Sequence, residues 1–221
     1  MKPHALAATS LLAVVFAACS AGIDRSVYTS NVCVTGGWDE LHGVVAADPA
    51  RALQSVTITT GLGSPNPSRG ILSTLGAPCA NAPDKVACDS AMGSAAPKGD
   101  AWKTSLCGGA GCREFQHFFL SEKAGAVDVI ETLDALRAAI APVDNASDAV
   151  LLAAYTADGL GVDCTKGQAR PLADGAWEVY LATGDGQCTD RVERRVRVER
   201  DGRTASLATL TTRAAKTCLY P

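Results

Sequence analysis

Two cysteines and a histidine lie at a spacing that could hold a metal ion. Cys107 and Cys112 are followed at an equal interval by His117, with Glu114 between them. Two thiolates and an imidazole are suitable ligands for Zn²⁺ or copper. The competing interpretation is that both cysteines are oxidised and that His117 belongs to a strand. Because no H-E-x-x-H or paired C-x-x-C motif accompanies them, we predict no metal site and no cofactor, and keep an envelope metal or redox protein as an alternative.

The sequence lacks the motifs of exported hydrolases. It contains neither a G-x-S-x-G elbow nor an S-x-x-K motif. Ser64 lies between Gly63 and Pro65, which suits a turn better than a nucleophile. A Ser–His–Asp triad would need His42 or His117, and neither lies in a recognisable context. We therefore predict no catalytic residue, and an exported hydrolase without a local signature stays open as an alternative.

The nine cysteines predict a disulfide framework in an exported chain. Cys19 belongs to the N-terminal motif described below, which leaves eight cysteines, an even number. Sequence alone cannot choose among the pairings that eight cysteines allow. Closeness along the chain favours the pairs Cys79–Cys88, Cys107–Cys112 and Cys164–Cys188, which leaves Cys33–Cys218.

The N-terminal region has the layout of a bacterial export signal. A basic start at Lys2 precedes an apolar stretch from Ala5 to Ala18, which is shorter than the roughly 20 residues of a membrane span. The stretch ends in Phe16-Ala17-Ala18-Cys19, which resembles a lipobox. The resemblance implies a signal peptide over 1–18, acylation of Cys19 (by palmitate, for example), and a lipidated cysteine with its tether over 19–31. An ordinary signal cut after Ser20 is the alternative, and it gives a secreted protein.

Composition indicates a globular protein with no affinity for nucleic acid. The chain is 47% hydrophobic and 19% charged, and its net charge is −3. The Arg-rich run from Arg191 to Arg200 is interleaved with Glu193 and Glu199, so we expect a solvated strand face there. The predicted partners are membrane lipid through Cys19 and an unknown envelope protein or ligand.

Residues 32–112 are predicted to form a loop-rich region stapled by cysteines. Val56 to Thr59 alternates β-branched residues, which favours a strand. Gly61 to Gly70 is rich in Gly and Pro and is predicted to be a loop. Pro83 to Met92 is predicted to form a short helix after Asn81.

Residues 113–221 are predicted to form an α+β domain, possibly one domain with 32–112. The predicted elements are a strand pair (Phe115–Glu122 and Ala126–Ile130), two helices capped by Thr132 and Asn145, and a meander of three strands (Ala176–Thr183, the run through Val192 and Val198, and Thr204–Thr212). Asp-Gly dipeptides before the first and the last of these three strands are strong hairpin signals. The predicted fold class is α+β: a strand pair, two helices and an antiparallel β-meander, disulfide-braced, with a loop-rich N-terminal part.

The second half also resembles a diffuse set of predicted bacterial lipoproteins of unassigned function. The residues that carry the resemblance are Cys112, the strand to Ile130, Leu133–Leu136, Ala141–Asp144 and Asp148–Leu152. With the lipobox, it implies a membrane-anchored envelope lipoprotein with a non-enzymatic binding or structural role. Ser20, which would follow the lipidated cysteine, is not the Asp associated with retention at the inner membrane, so the resemblance favours the outer membrane.

Overall fold

The computed structural model describes residues 23–35, 37–61, 64–99, 102–105, 114–156, 161–183 and 190–214. These residues form three helices and nine strands. In chain order they are β1 (Ala52–Gly61), β2 (Ser64–Leu75), α1 (Lys85–Ser94), β3 (Lys103–Ser105), β4 (Glu114–Lys123), β5 (Ala126–Ile130), α2 (Leu133–Ile140), α3 (Ala146–Thr156), β6 (Ala169–Pro171), β7 (Trp177–Thr183), β8 (Arg191–Val198) and β9 (Thr204–Thr212). In the described part of the chain, no helix is both long and apolar enough to cross a membrane.

Two antiparallel sheets confirm the predicted α+β class. The five-stranded sheet has the order β2-β1-β4-β3, with β5 also paired to β4. The four-stranded sheet is the predicted meander extended by one short strand, in the order β6-β7-β8-β9. Gly175 and Gly202 both have a positive φ in the turns before β7 and β9, which is the backbone conformation that Asp-Gly turns need.

The prediction of a loop from Gly61 to Gly70 is wrong. The chain instead forms β2, which pairs with β1 along almost its whole length. The prediction failed because Pro65 and Pro67 cannot donate ladder hydrogen bonds and so lower the strand signal. β2 lies at the edge of its sheet, and an edge strand tolerates proline because its outer N–H groups need no partner in the sheet.

The two helices predicted in the second half are confirmed by their caps. The Thr132 hydroxyl accepts a hydrogen bond from the Ala135 N–H at 3.2 Å, at the start of α2. The Asn145 side chain accepts one from the Asp148 N–H at 3.0 Å, at the start of α3. The helix predicted after Asn81 begins at Lys85, because Asp84 provides the cap.

The helix α3 lies between the two sheets. Its residues from Asp148 to Ala153 are fully buried, so it is covered on all sides rather than along one face. The core around it contains Leu53 and Phe119 of the five-stranded sheet and Val179 and Val196 of the four-stranded sheet. A second cluster joins the other face of the five-stranded sheet to α1. The layers are therefore α1, the five-stranded sheet, α3 and the four-stranded sheet.

Two disulfides are present among the described residues. The Cys79–Cys88 bridge confirms the prediction for that pair. Cys33 bridges Cys164, so the predicted pairs Cys33–Cys218 and Cys164–Cys188 are wrong. The physical reason is that Ser30 pairs with Ala169 at the edge of β6, which carries Cys33 to the loop of Cys164. Such disulfides indicate an oxidising, exported environment. The remaining predicted cysteines lie outside the described residues: Cys19, Cys107, Cys112, Cys188 and Cys218.

Candidate functional site

A group of charged side chains in mutual contact lies on the outer face of the four-stranded sheet, opposite α3. Side chains alternate along β7, so that Val179 and Leu181 enter the core while Glu178 and Tyr180 point outward. In β8, Arg195 is paired with Tyr180 in the same register. We call these outward side chains and their partners the outer-face network: Arg25, Tyr28, Asp163, Arg170, Glu178, Tyr180, Arg191, Glu193 and Arg195.

Glu178 is the centre of one half of the outer-face network. Its carboxylate accepts hydrogen bonds from the Tyr28 hydroxyl, the Arg195 guanidinium and the Arg170 guanidinium, each at 2.7 Å. The side chain is only 4% exposed. Burial by itself raises the pKa of Glu178, but the three hydrogen bonds outweigh it and lower the pKa to about 2. Burial and the neighbouring carboxylate raise the pKa of Tyr28, so the phenol is the donor.

Asp163 is the centre of the other half. It accepts from Arg25 at 2.7 Å and from Arg191 at 3.2 Å. Burial by itself raises the pKa of Asp163, but the hydrogen bonds from Thr165 and Arg191 and the charge of Arg25 outweigh it, so the pKa lies well below its usual range. The Tyr180 hydroxyl donates to Glu193 at 2.5 Å. The Arg25 guanidinium lies 4.2 Å from the centre of the Tyr180 ring, within cation–π distance.

The N-terminal segment, residues 23–30, covers this network. Tyr28 is 4% exposed and packs with Tyr180 and Ala182, and Ile23 packs against the same cluster. The Ser30 N–H donates to the Ala169 carbonyl at 2.9 Å. Part of the predicted tether over 19–31 is therefore built into the domain. Likewise, the expected solvated face at Arg191 to Arg200 is half-buried where Arg191 and Arg195 meet their carboxylates.

A second polar group, which we call the Glu40 cluster, ties a loop to the five-stranded sheet. The Ser55 hydroxyl donates to Glu40, and the Ser73 hydroxyl donates to Asp39. Burial, followed by the charge of Glu40 and a hydrogen bond with it, raises the pKa of Tyr155 well above its usual value. Ser55 is fully buried. Its hydroxyl therefore positions the loop and does not face a substrate.

The two histidines among the described residues, His42 and His117, lie in different environments. His42 is exposed in the turn that precedes Val44. His117 lies in β4 directly opposite Thr57 of β1. The His117 Nδ1 and the Thr57 Oγ1 are both buried and find no hydrogen-bond partner within the described part of the chain.

Of the three ligands of the alternative metal site, only His117 lies among the described residues. Cys107 and Cys112 lie outside the described residues, whereas His117 is placed on β4. Among the residues that are described, no three His, Cys, Asp or Glu side chains are grouped so that they could hold a metal ion.

Sequence reasoning missed the outer-face network. Its members are separated along the chain, and the partners Tyr28 and Glu178 are brought together only by the fold. One signal was present, because Ile23, Arg25 and Tyr28 are unusual in a flexible linker, which is normally rich in Gly, Ser and Pro. A segment with large amphipathic side chains has surface to bury.

Comparison with known proteins gives no relative from which a function could be transferred. No family model, no curated protein and no solved structure matches the chain.

Proposed function

We propose that this protein is a lipoprotein of the bacterial envelope, anchored to the outer membrane through Cys19, with a non-enzymatic binding or structural role. The observation that carries the proposal is the outer-face network. The acids and tyrosines that could do chemistry are bound to each other and to arginines, and the chain's own N-terminal segment covers them.

The saturation of these groups favours a structural role for them. A catalytic acid or base needs a shifted pKa and access to a reacting atom. The pKa of Glu178 is shifted to about 2, but its oxygens are occupied by Tyr28, Arg170 and Arg195. The shift therefore reflects an ion-pair network that stabilises the fold.

The location of the protein is supported by two features. The Cys33–Cys164 and Cys79–Cys88 bridges favour an oxidising compartment. The lipobox-like run that ends at Cys19 supports an acyl anchor, and more than one acyl chain on a single residue holds a protein stably on a membrane. Ser20, in the position after the anchor, favours the outer membrane.

The test is the intact mass of the native protein, with thiol alkylation before and after reduction. We expect a chain that begins at an acylated Cys19 and that takes up no alkylating reagent until it is reduced. The matched control is Cys19→Ser, which should lose the acyl mass and leave the membrane fraction.

Two other results would redirect the proposal. An unacylated native chain cut after Ser20 would make the protein a free secreted one. Two thiols that react without reduction at Cys107 and Cys112 would favour metal or redox chemistry with His117.

A further inference from the structure

The distance between the proposed anchor and the folded domain is short. Ile23 is the first described residue, and it packs against Tyr28, Tyr180 and Ala182. Only three residues, Ser20 to Gly22, lie between Cys19 and Ile23, and the four Cα–Cα steps that join Cys19 to Ile23 span at most about 14 Å. A lipidated Cys19 lies at the membrane surface, so Ile23 would lie within about 14 Å of that surface.

The chain cannot easily gain reach by releasing the N-terminal segment. Arg25 is bonded to Asp163 at 2.7 Å, and the buried Tyr28 is bonded to Glu178 at 2.7 Å. The disulfide from Cys33 to Cys164 closes the segment at its other end. To detach it would leave Glu178 and Asp163 without some of their partners in a buried environment, which is costly. Ile23 is therefore a fixed exit point on the outer face of the four-stranded sheet.

The order of the layers determines which part of the domain lies farthest from this exit point. The four-stranded sheet carries the N-terminal segment on its outer face and α3 on its inner face, and α1 covers the far face of the five-stranded sheet. Adjacent layers pack about 10 Å apart. The three steps from the outer sheet to α1 therefore place α1 about 30 Å deeper than the outer sheet.

We infer that the outer face of the four-stranded sheet lies against the lipid headgroups and that α1 points away from the membrane. This inference rests on the proposed function, because it needs the acyl anchor at Cys19. The exposed Lys166 lies on the membrane side, near Asp24 of the N-terminal segment. The hydrogen bonds from Ser26 are the main cause that lowers the pKa of Asp24, and the charge of Lys166 adds to them. Val86 of α1 is 79% exposed and lies on the opposite side of the layered domain.

The experiment measures energy transfer from the acylated full chain to a bilayer. The protein is placed in vesicles of phosphatidylethanolamine and phosphatidylglycerol that carry an acceptor dye on the headgroup. A fluorescent amino acid replaces Lys166 in one sample and Val86 in the matched control. We expect the donor at position 166 to transfer several times more efficiently than the donor at 86, because the two positions lie on opposite sides of the layered domain.

A second variant tests whether the short connection sets the orientation. Ten Gly and Ser residues inserted after Gly22 lengthen the connection to about fourteen Cα–Cα steps, whose root-mean-square span is about 20 Å and whose full reach is about 50 Å. We expect the two donors to become similar in transfer efficiency, while the acyl mass and the disulfides stay unchanged. Near-ultraviolet circular dichroism of each labelled variant confirms that it is folded.

The result that overturns the inference is equal or reversed transfer from the two positions in the uninserted protein. The intact mass of the same samples separates this failure from failure of the proposed function. If Cys19 is acylated and the transfer is equal, the orientation is wrong and the anchor stands. If Cys19 carries no acyl chain, both proposals fall.

Discussion

The Cys33–Cys164 disulfide should contribute more to stability than the local Cys79–Cys88 disulfide. The two bridges close loops with sequence separations of 131 and 9 residues. In the chain-entropy model, the longer loop stabilises the fold by about 5 kcal/mol and the shorter by about 2.5 kcal/mol. The double variant Cys33→Ala with Cys164→Ala should therefore lose about 5 kcal/mol of unfolding free energy.

The assay is urea unfolding of the purified oxidised protein, followed by far-ultraviolet circular dichroism. It reports both the free energy of unfolding and the slope m, which scales with the surface exposed on unfolding. Opening a loop with a separation of 131 residues lets the unfolded chain expand, so m should rise clearly in the Cys33/Cys164 variant. Opening the local loop should leave m almost unchanged.

The matched control is Cys79→Ala with Cys88→Ala. These two side chains are 1% and 2% exposed, so the control also loses packing, and its total cost will exceed the loop term alone. The slope m is free of this complication, because packing in the folded state does not expand the unfolded chain. A loss of less than about 2 kcal/mol in the Cys33/Cys164 variant, or an equal rise of m in both variants, would show that the long loop does not stabilise the fold in this way.

Three further changes test the buried polar groups and the packing of the N-terminal segment. Burial raises the pKa of Asp148 from 3.8 to about 6, so the contribution of Asp148 to stability is complete below pH 3.8 and is lost as the pH rises through 6. The stability of Asp148→Asn relative to wild type should therefore rise by up to about 3 kcal/mol between pH 4 and pH 8. A pH-independent difference in urea unfolding would contradict this. The pKa of Glu178 is lowered from 4.5 to about 2, so the contribution of Glu178 to stability is complete above pH 4.5 and is lost as the pH falls through 2. Glu178→Gln should lower the free energy of unfolding by about 3 kcal/mol at pH 7. The same loss at pH 2 would contradict a stabilising ion pair. A Cβ at Gly167 would lie 1.9 Å from the Tyr28 carbonyl oxygen, so Gly167→Ala should speed hydrogen exchange at the Ser30 amide, whereas Gly93→Ala, which meets nothing within 4 Å, should not; equal exchange in the two variants would refute the close approach.

The elements that could be predicted from the sequence are those with local signals. Thr132 and Asn145 each precede a helix and accept a hydrogen bond from its first turn, and this preference is local to a few residues. The Asp-Gly turns and the alternation along β7 to β9 likewise report on near neighbours. These signals were sufficient for the second half of the domain and for its α+β class.

The features that were missed depend on contacts between distant residues. The strand β2 forms despite Pro65 and Pro67 because β1 offers it a partner, and its own residues favour a loop. The link from Cys33 to Cys164 spans 131 residues, and closeness along the chain cannot reveal it. The outer-face network depends in the same way on the meeting of Tyr28 with Glu178.

The composition of the chain explains why the domain covers its outer sheet with its own N-terminus. Only 5% of the residues are aromatic, and α3 contributes small side chains such as Ala149 and Ala153 to the layer between the sheets. Small side chains allow a helix to lie close to both sheets, but they bury little apolar area. The outward face of the four-stranded sheet then carries Glu178 and Tyr180, which need partners once they are buried. Residues 23–30 supply Tyr28 and Arg25 as those partners, so the segment that resembles a tether in the sequence completes the fold.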